Sequence, residues 1–287
     1  MKLLGQPISS MYLWTVVLLI AIVSVSSYVQ NTFPLTVIVA VAAALLIETA
    51  IVKIDLRSRL RLPLSAIITG MLIGIIAPYN APISLVIVAV SIAMLSKFFI
   101  KFKSNIIFNP AAMGLLIALA AFGLGDSWWA SGSYLLGSFI ISPAILLAIA
   151  AYSARRLHAS LSFITATIII VALAGNVQAS LAGLDALLFS VNFLFAFIMI
   201  ADPKTSPAKP AEQTAYGAAI ALLVFALGAY GMHYAFLVAL LIGNMSYAAY
   251  RNRYRFLPAR AGVKISHVGT PRAQHTGSGK MDTVTLT

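Results

Sequence analysis

The chain of 287 residues contains no cysteine. Disulfides, iron–sulfur clusters and thiolate metal sites are thereby excluded. Histidine is scarce, and His158, His233, His267 and His275 are too scattered to face one another as paired haem ligands. Any redox cofactor would therefore have to be organic. Charge is also scarce: charged residues make up 9% of the chain, against about a quarter in soluble domains, and only 7 are acidic. With 61% hydrophobic residues, the composition is that of a polytopic membrane protein.

What is present is a succession of apolar windows, each roughly 20 residues long or shorter where Gly and Pro interrupt it. Ten spans can be placed: Met11–Val29, Phe33–Val52, Leu64–Pro78, Pro82–Ser96, Pro110–Gly125, Ser133–Tyr152, Ser160–Gly175, Leu184–Ala201, Ala215–Tyr230 and Tyr234–Tyr250. The first is longer than the ~7 to 15 apolar residues of a signal peptide and reads as a retained spanning helix. With this count, all 19 basic residues share one side of the membrane. They fall in loops holding Lys53, Arg57, Arg59 and Arg61, then Lys97, Lys101 and Lys103, then Arg155 and Arg156, then Lys204 and Lys209, with Lys2 and the tail beyond. Cytoplasmic loops collect Lys and Arg, so the expectation is a multi-pass protein of the cell (inner) membrane with both termini in the cytoplasm.

The +12 net charge is thus an orientation signal and an attraction to anionic lipid, not the footprint of a nucleic-acid partner. Residues 1–250 read as the membrane domain. Residues 251–287 are polar, rich in Gly, Ser and Thr, and read as a disordered cytoplasmic tail.

Ten helices divide into five and five, and an odd number per half inverts one half relative to the other. The fold class expected is all-α, with inverted five-helix repeats at about 11–125 and 133–250. Ile76-Ala77-Pro78, followed by Tyr79-Asn80-Ala81-Pro82, aligns with Ile200-Ala201-Asp202-Pro203 and the Pro207 beyond it. Interruptions at matching places in both halves point to a site at the repeat interface. Asn109-Pro110, Asp202-Pro203 and Ser206-Pro207 each set a capping residue before a proline, the pattern of a helix start. Such N-termini favour an anion or a polarised carbonyl. Starting a helix at the water boundary is their other reading.

Two segments resemble a known family. KFKSNIIFNPAAMGLLI, Lys101 to Ile117, is similar to the motif that precedes an inner helix there. FIMIADPKTSPAKPAEQTAYGAAIALL, from Phe197, with GMHYAFLVALLIGNMSY after it, is similar to its late signature. This is the NqrB/RnfD family, whose members are membrane subunits of the sodium-translocating NADH:quinone oxidoreductase and of the Rnf electron-transport complex. The resemblance implies a fold shared in outline with urea and ammonium channels, and a membrane electron-transfer protein that binds a flavin. It also implies coupling to cation movement in a larger complex with other redox subunits. Asn109, Pro110, Asp202, Pro203, Thr205 and Ser206 are the matching positions, and a structural or flavin-contacting role is carried over to them. The family's Ser-Gly-Ala-Thr motif, whose Thr takes FMN through a phosphoester, is absent. The implied flavin, FMN or riboflavin, is therefore expected to be non-covalent. Alternatives from the same fold are a small-solute channel or transporter, or an accessory membrane protein of a biosynthetic pathway.

Glu48 is the acid set well inside an expected span, which makes it a candidate for ion or proton handling. Its place near the helix end also suits a structural pairing with a basic group. Asn192 and Asn244 are expected nearest the pseudo-twofold centre, as interhelical amides. Gly70 and Gly74 form a small-xxx-small packing pair. Trp128 and Trp129 read as an interfacial anchor, or as a stacking surface for a flavin ring.

Overall fold

Long apolar runs without internal proline leave the backbone one economical way to satisfy its hydrogen bonds, and the described residues are mostly helical. The structure, a computed structural model, describes residues 2–3, 6–7, 10–54, 63–102, 105–130, 141–174 and 192–256. In chain order these hold β1 (Lys2–Leu3) paired with β2 (Gln6–Pro7), α1 (Ser10–Val29), α2 (Leu35–Ile54), α3 (Leu64–Ile76) and α4 (Ile83–Phe99). Next come β3 (Lys101–Phe102) paired with β4 (Asn105–Ile106), α5 (Pro110–Phe122), α6 (Ile141–Ser153) and α7 (Leu157–Ala174). A π-helical turn at Phe195–Met199, α8 (Pro210–Ala229) and α9 (Ala235–Phe256) complete the set.

Four helices are long and apolar enough to cross a bilayer: Met11–Val29, Leu35–Lys53, Leu157–Ala174 and Pro210–Ala229. By contrast α3, at 13 residues, is about 20 Å long and falls short of a hydrocarbon core of ~30 Å. The chain divides into two compact units, Met1–Arg251 and Asn252–Thr287. Only 252–256, the end of α9, are described in the second, so the expected disordered tail lies outside the described residues.

In the first unit α3 is buried on nearly every side, from Thr69 to Ile76, as a helix apolar all round must be. It lies against α2 through its two glycines: a Cβ at Gly70 would meet Ala40 O at 2.8 Å, and one at Gly74 would strike the Val37 backbone. Thr36 Oγ1 also donates to Gly74 O at 3.1 Å. The far end of α3 is closed by the loop after α5. Ser127 N and Trp128 N donate to Ile76 O, and Trp129 Nε1 donates to Gly74 O at 2.8 Å. Trp129 is 2% exposed, and Trp128 packs edge-on against Phe195 and Phe236. The Trp129 indole therefore closes a helix end, and the Trp128 ring packs against aromatic side chains of the interior.

Several expected boundaries shift. The fourth span continues to Phe99, and the tenth, α9, to Phe256. The ninth begins at Pro210 in place of Ala215, with Lys209 at its cap position. Of the expected eighth span only residues from Asn192 are described, and there Asn192 Oδ1 accepts from Phe195 N at 3.0 Å, so Asn192 starts a short segment.

Candidate functional site

Asn109 begins the site from the first half. Its Oδ1 accepts from Ala112 N at 3.2 Å, Pro110 fills the first helical position, and the pair starts α5 as their types dictate. The break before Asp202 is built differently. Ile200 N reaches back five residues to Phe195 O at 2.9 Å, the widened turn that often marks an interrupted helix.

The chain then leaves the helix, and Asp202 organises the loop beyond. Its backbone oxygen accepts from Thr205 N, Ser206 N and Ser206 Oγ, the last at 2.7 Å. Its carboxylate accepts from Lys204 N at 3.1 Å and from Thr205 Oγ1 at 3.4 Å. Asp202-Pro203 and Ser206-Pro207 thus form a self-bonded turn and do not start helices. The carboxylate takes the Lys204 N–H as a cap would, but the turn is not continued and the next helix begins at Pro210.

Arg156, in the turn between α6 and α7, clasps this loop. Its Nε donates to Ser206 Oγ at 3.1 Å and its Nη2 to Pro203 O at 3.4 Å. Gln213 Nε2 ties the same turn to the loop through Arg155 O and Ala208 O. Burial pushes the Asp202 carboxyl above the ordinary carboxylate range, against the opposing pull of the Lys204 N–H, the Lys204 ammonium, the Thr205 hydroxyl and Arg156.

Between these parts lies a cavity of about 80 Å³. The starts of α1, α3 and α5, the end of α6 and the break surround it, contributing Tyr12, Thr15, Ser65, Thr69, Leu72, Asn109, Pro110, Phe197, Asp202, Pro203 and Lys204 among others. Lys204 Nζ spans from the break to Ser65 Oγ at 3.1 Å and lies 5.4 Å from the centre of the Tyr12 ring. Four candidates, Asn109, Pro110, Asp202 and Pro203, therefore meet at one cavity. Thr205 and Ser206 are buried behind it and shape the turn. Glu48 is elsewhere, paired with Lys97 of α4. The α1 wall, with Tyr12 and Thr15, carried no signal in the sequence, and Lys204 read only as an orientation charge.

Among the described residues no cluster of His, Asp and Glu could hold a metal ion. A short buried helix facing an interrupted one across a cavity, in a chain with four helices long and apolar enough to cross a bilayer, is the architecture of a multi-pass membrane protein. Residues 5–134 match the model of the NQR2, RnfD, RnfE family. The match includes Asn109 and ends before the break at Asp202. No curated protein matches the chain. The family is associated with membrane electron-transport and ion-translocating complexes of several subunits.

Proposed function

We propose that this protein is an electron-transfer subunit of a membrane redox complex, with a non-covalent flavin held at the cavity between its two interrupted segments. The observation that carries the reading is the convergence there of Asn109 and the Asp202–Lys204 turn. An arrangement of ten spans in two inverted five-helix repeats, with both termini cytoplasmic, belongs to the same reading. Matching packing supports it: α1 on α3 is echoed by α6 on the 195–199 turn, and α2 on α4 by α7 on α8. Likewise Gly114 of α5 lies on Ala89 and Ala93 of α4, and Gly243 of α9 on Tyr216 and Ile220 of α8.

The lining suits the polar edge of a flavin in kind. The Tyr12 hydroxyl and the Lys204 ammonium would donate to ring oxygens and nitrogens, the Thr15 and Thr69 hydroxyls, which already donate to Met11 O and Ser65 O, would accept from a ring N–H, and Leu72 and Phe197 supply apolar walls. A volume of about 80 Å³ holds two or three waters at ~30 Å³ each. Whole ring systems occupy pockets of ~300 Å³ or more, so the cavity takes an edge of the ring and not all of it. When bound, the cofactor supplies the electron chemistry. The chain's part is to orient that edge, to set the Lys204 charge beside it, and to hold a proton on the Asp202 carboxyl, whose burial favours the neutral form.

The visible spectrum and flavin content of the purified protein, reconstituted with FMN or riboflavin, test this. About one flavin per chain is expected, reduced several-fold in a Lys204→Met variant that keeps its thermal transition. A colourless protein that fluxes a small solute in liposomes overturns the function, and unchanged occupancy in Lys204→Met overturns the site.

A further inference from the structure

The contact between α8 and α9, and the first turn of α8 beside it, carry polar groups that the cavity does not use. Gln213 and Tyr216 are one turn apart on α8, and Asn244, Tyr247 and Arg251 follow at helical spacing on α9. Tyr216 OH donates to Asn244 Oδ1 at 2.6 Å, the Tyr216 and Tyr247 rings meet edge to face, and Arg251 lies over the Tyr247 ring. Asn244 is wholly buried, yet its Nδ2 has no partner. Exchanging the amide's oxygen and nitrogen does not help, because Nδ2 would then face the phenol and leave Oδ1 and the phenol proton unmatched. Gln213 is 1% exposed, and its Nε2 is fixed by two carbonyls, so its Oε1 is an acceptor whose orientation is settled and which also lacks a partner. Arg251 Nε is a third buried polar atom without one.

Unmatched donors and acceptors are costly in a protein interior and more so at membrane depth. A mixture of donors and acceptors along one seam fits neither an anion nor a cation alone. It fits water, which supplies both. The α4–α5 seam is the contrast: among the described residues, no buried polar side-chain atom of α4 or α5 lacks a partner.

We propose that the α8–α9 seam is a water-binding thread that runs from Gln213 and Arg251 inward to the Tyr216–Asn244 pair. Asn244 and Arg251 are seven positions apart on α9, so the thread reaches roughly 10 Å along the helix. The second half of the molecule therefore admits water to that depth through a seam whose counterpart in the first half carries no such unmatched group.

X-ray radiolytic labelling in 18O water, with a short dead time, reads water bound beside a buried side chain. In the full-length protein Tyr216 is expected to label despite its burial, with 18O uptake slower than at the exposed Tyr28 and Tyr230. Asn244→Leu is expected to lower labelling of Tyr216 several-fold and leave Tyr28 and Tyr230 unchanged. Gln213→Met, with a change farther from the phenol, provides a second variant if Asn244→Leu does not fold. An unlabelled Tyr216 in the native protein, or labelling that both folded variants leave unaltered, overturns the thread. Neither result depends on flavin content, so this inference and the proposed function fail separately.

Discussion

Lys97 Nζ lies 3.0 and 2.9 Å from the two carboxylate oxygens of Glu48, so a single ammonium on α4 takes both acceptors offered by α2. Side-chain exposure is 9% for the lysine and 15% for the glutamate, which leaves little water to replace either partner. Such a pair adds little net stability over an apolar one, but losing one partner strands the other. Glu48→Gln is expected to destabilise the protein by about 3 kcal/mol or more, read as a lowered thermal transition in detergent. The double variant Glu48→Met with Lys97→Met should recover most of that loss. An unshifted transition in Glu48→Gln would show that the pair is not structural and restore Glu48 as a candidate for ion handling.

Asp126 gives a pH dependence with a defined sign. Burial raises its carboxyl above the ordinary 3.8, while the hydrogen bond from Trp128 Nε1, at 2.7 Å, pulls the other way without cancelling the rise. Between 3.8 and the raised value the folded protein keeps a proton that the unfolded chain has lost. This group's contribution is therefore largest at low pH and declines as pH rises through that window. Thermal transitions taken across the window should show the decline in the native protein and a flatter profile in Asp126→Asn. A steeper profile in the variant would contradict the assignment.

Helix contact at glycine supplies a third expectation. A Cβ at Gly114 would strike Ala89 O, and one at Gly217 would strike Ala159 O, backbone atoms that cannot step aside. Gly114→Ala and Gly217→Ala are each expected to cost about 1–3 kcal/mol, typical of an overpacked interior. Gly228→Ala, with nothing within 4 Å of the added carbon, is the control that should change little. Equal transitions for all three variants would refute the close approach.

Local chemistry made much of the fold legible. Asn109-Pro110 starts α5 because cap and proline act within one turn, and Gly70 and Gly74 marked the face of α3 that meets α2. Interruptions in both halves were visible as proline-rich breaks. What could not be read was the choice a residue makes among distant partners. Glu48 needed a cation, but nothing local distinguishes Lys97, 49 residues away, from nearby Lys53. Asp202 has the type and position of a helix cap and accepts from Lys204 N as one, yet the turn it opens is not continued and α8 waits until Pro210. Trp129 looks like an interfacial residue until Gly74 O, 55 residues away, takes its N–H. The cavity wall from Tyr12 and Thr15 follows from packing of helix ends, for which there is no motif.

The glycine contacts also bear on how the molecule can move. Gly114 locks α5 to α4 and Gly217 locks α8 to α7, backbone against backbone, with no side-chain layer between them to shear. Each pair is thus a stiff two-helix lever, unable to twist internally without collision. A rearrangement that widens the space beside Lys204 would therefore carry α7 and α8 together as one body.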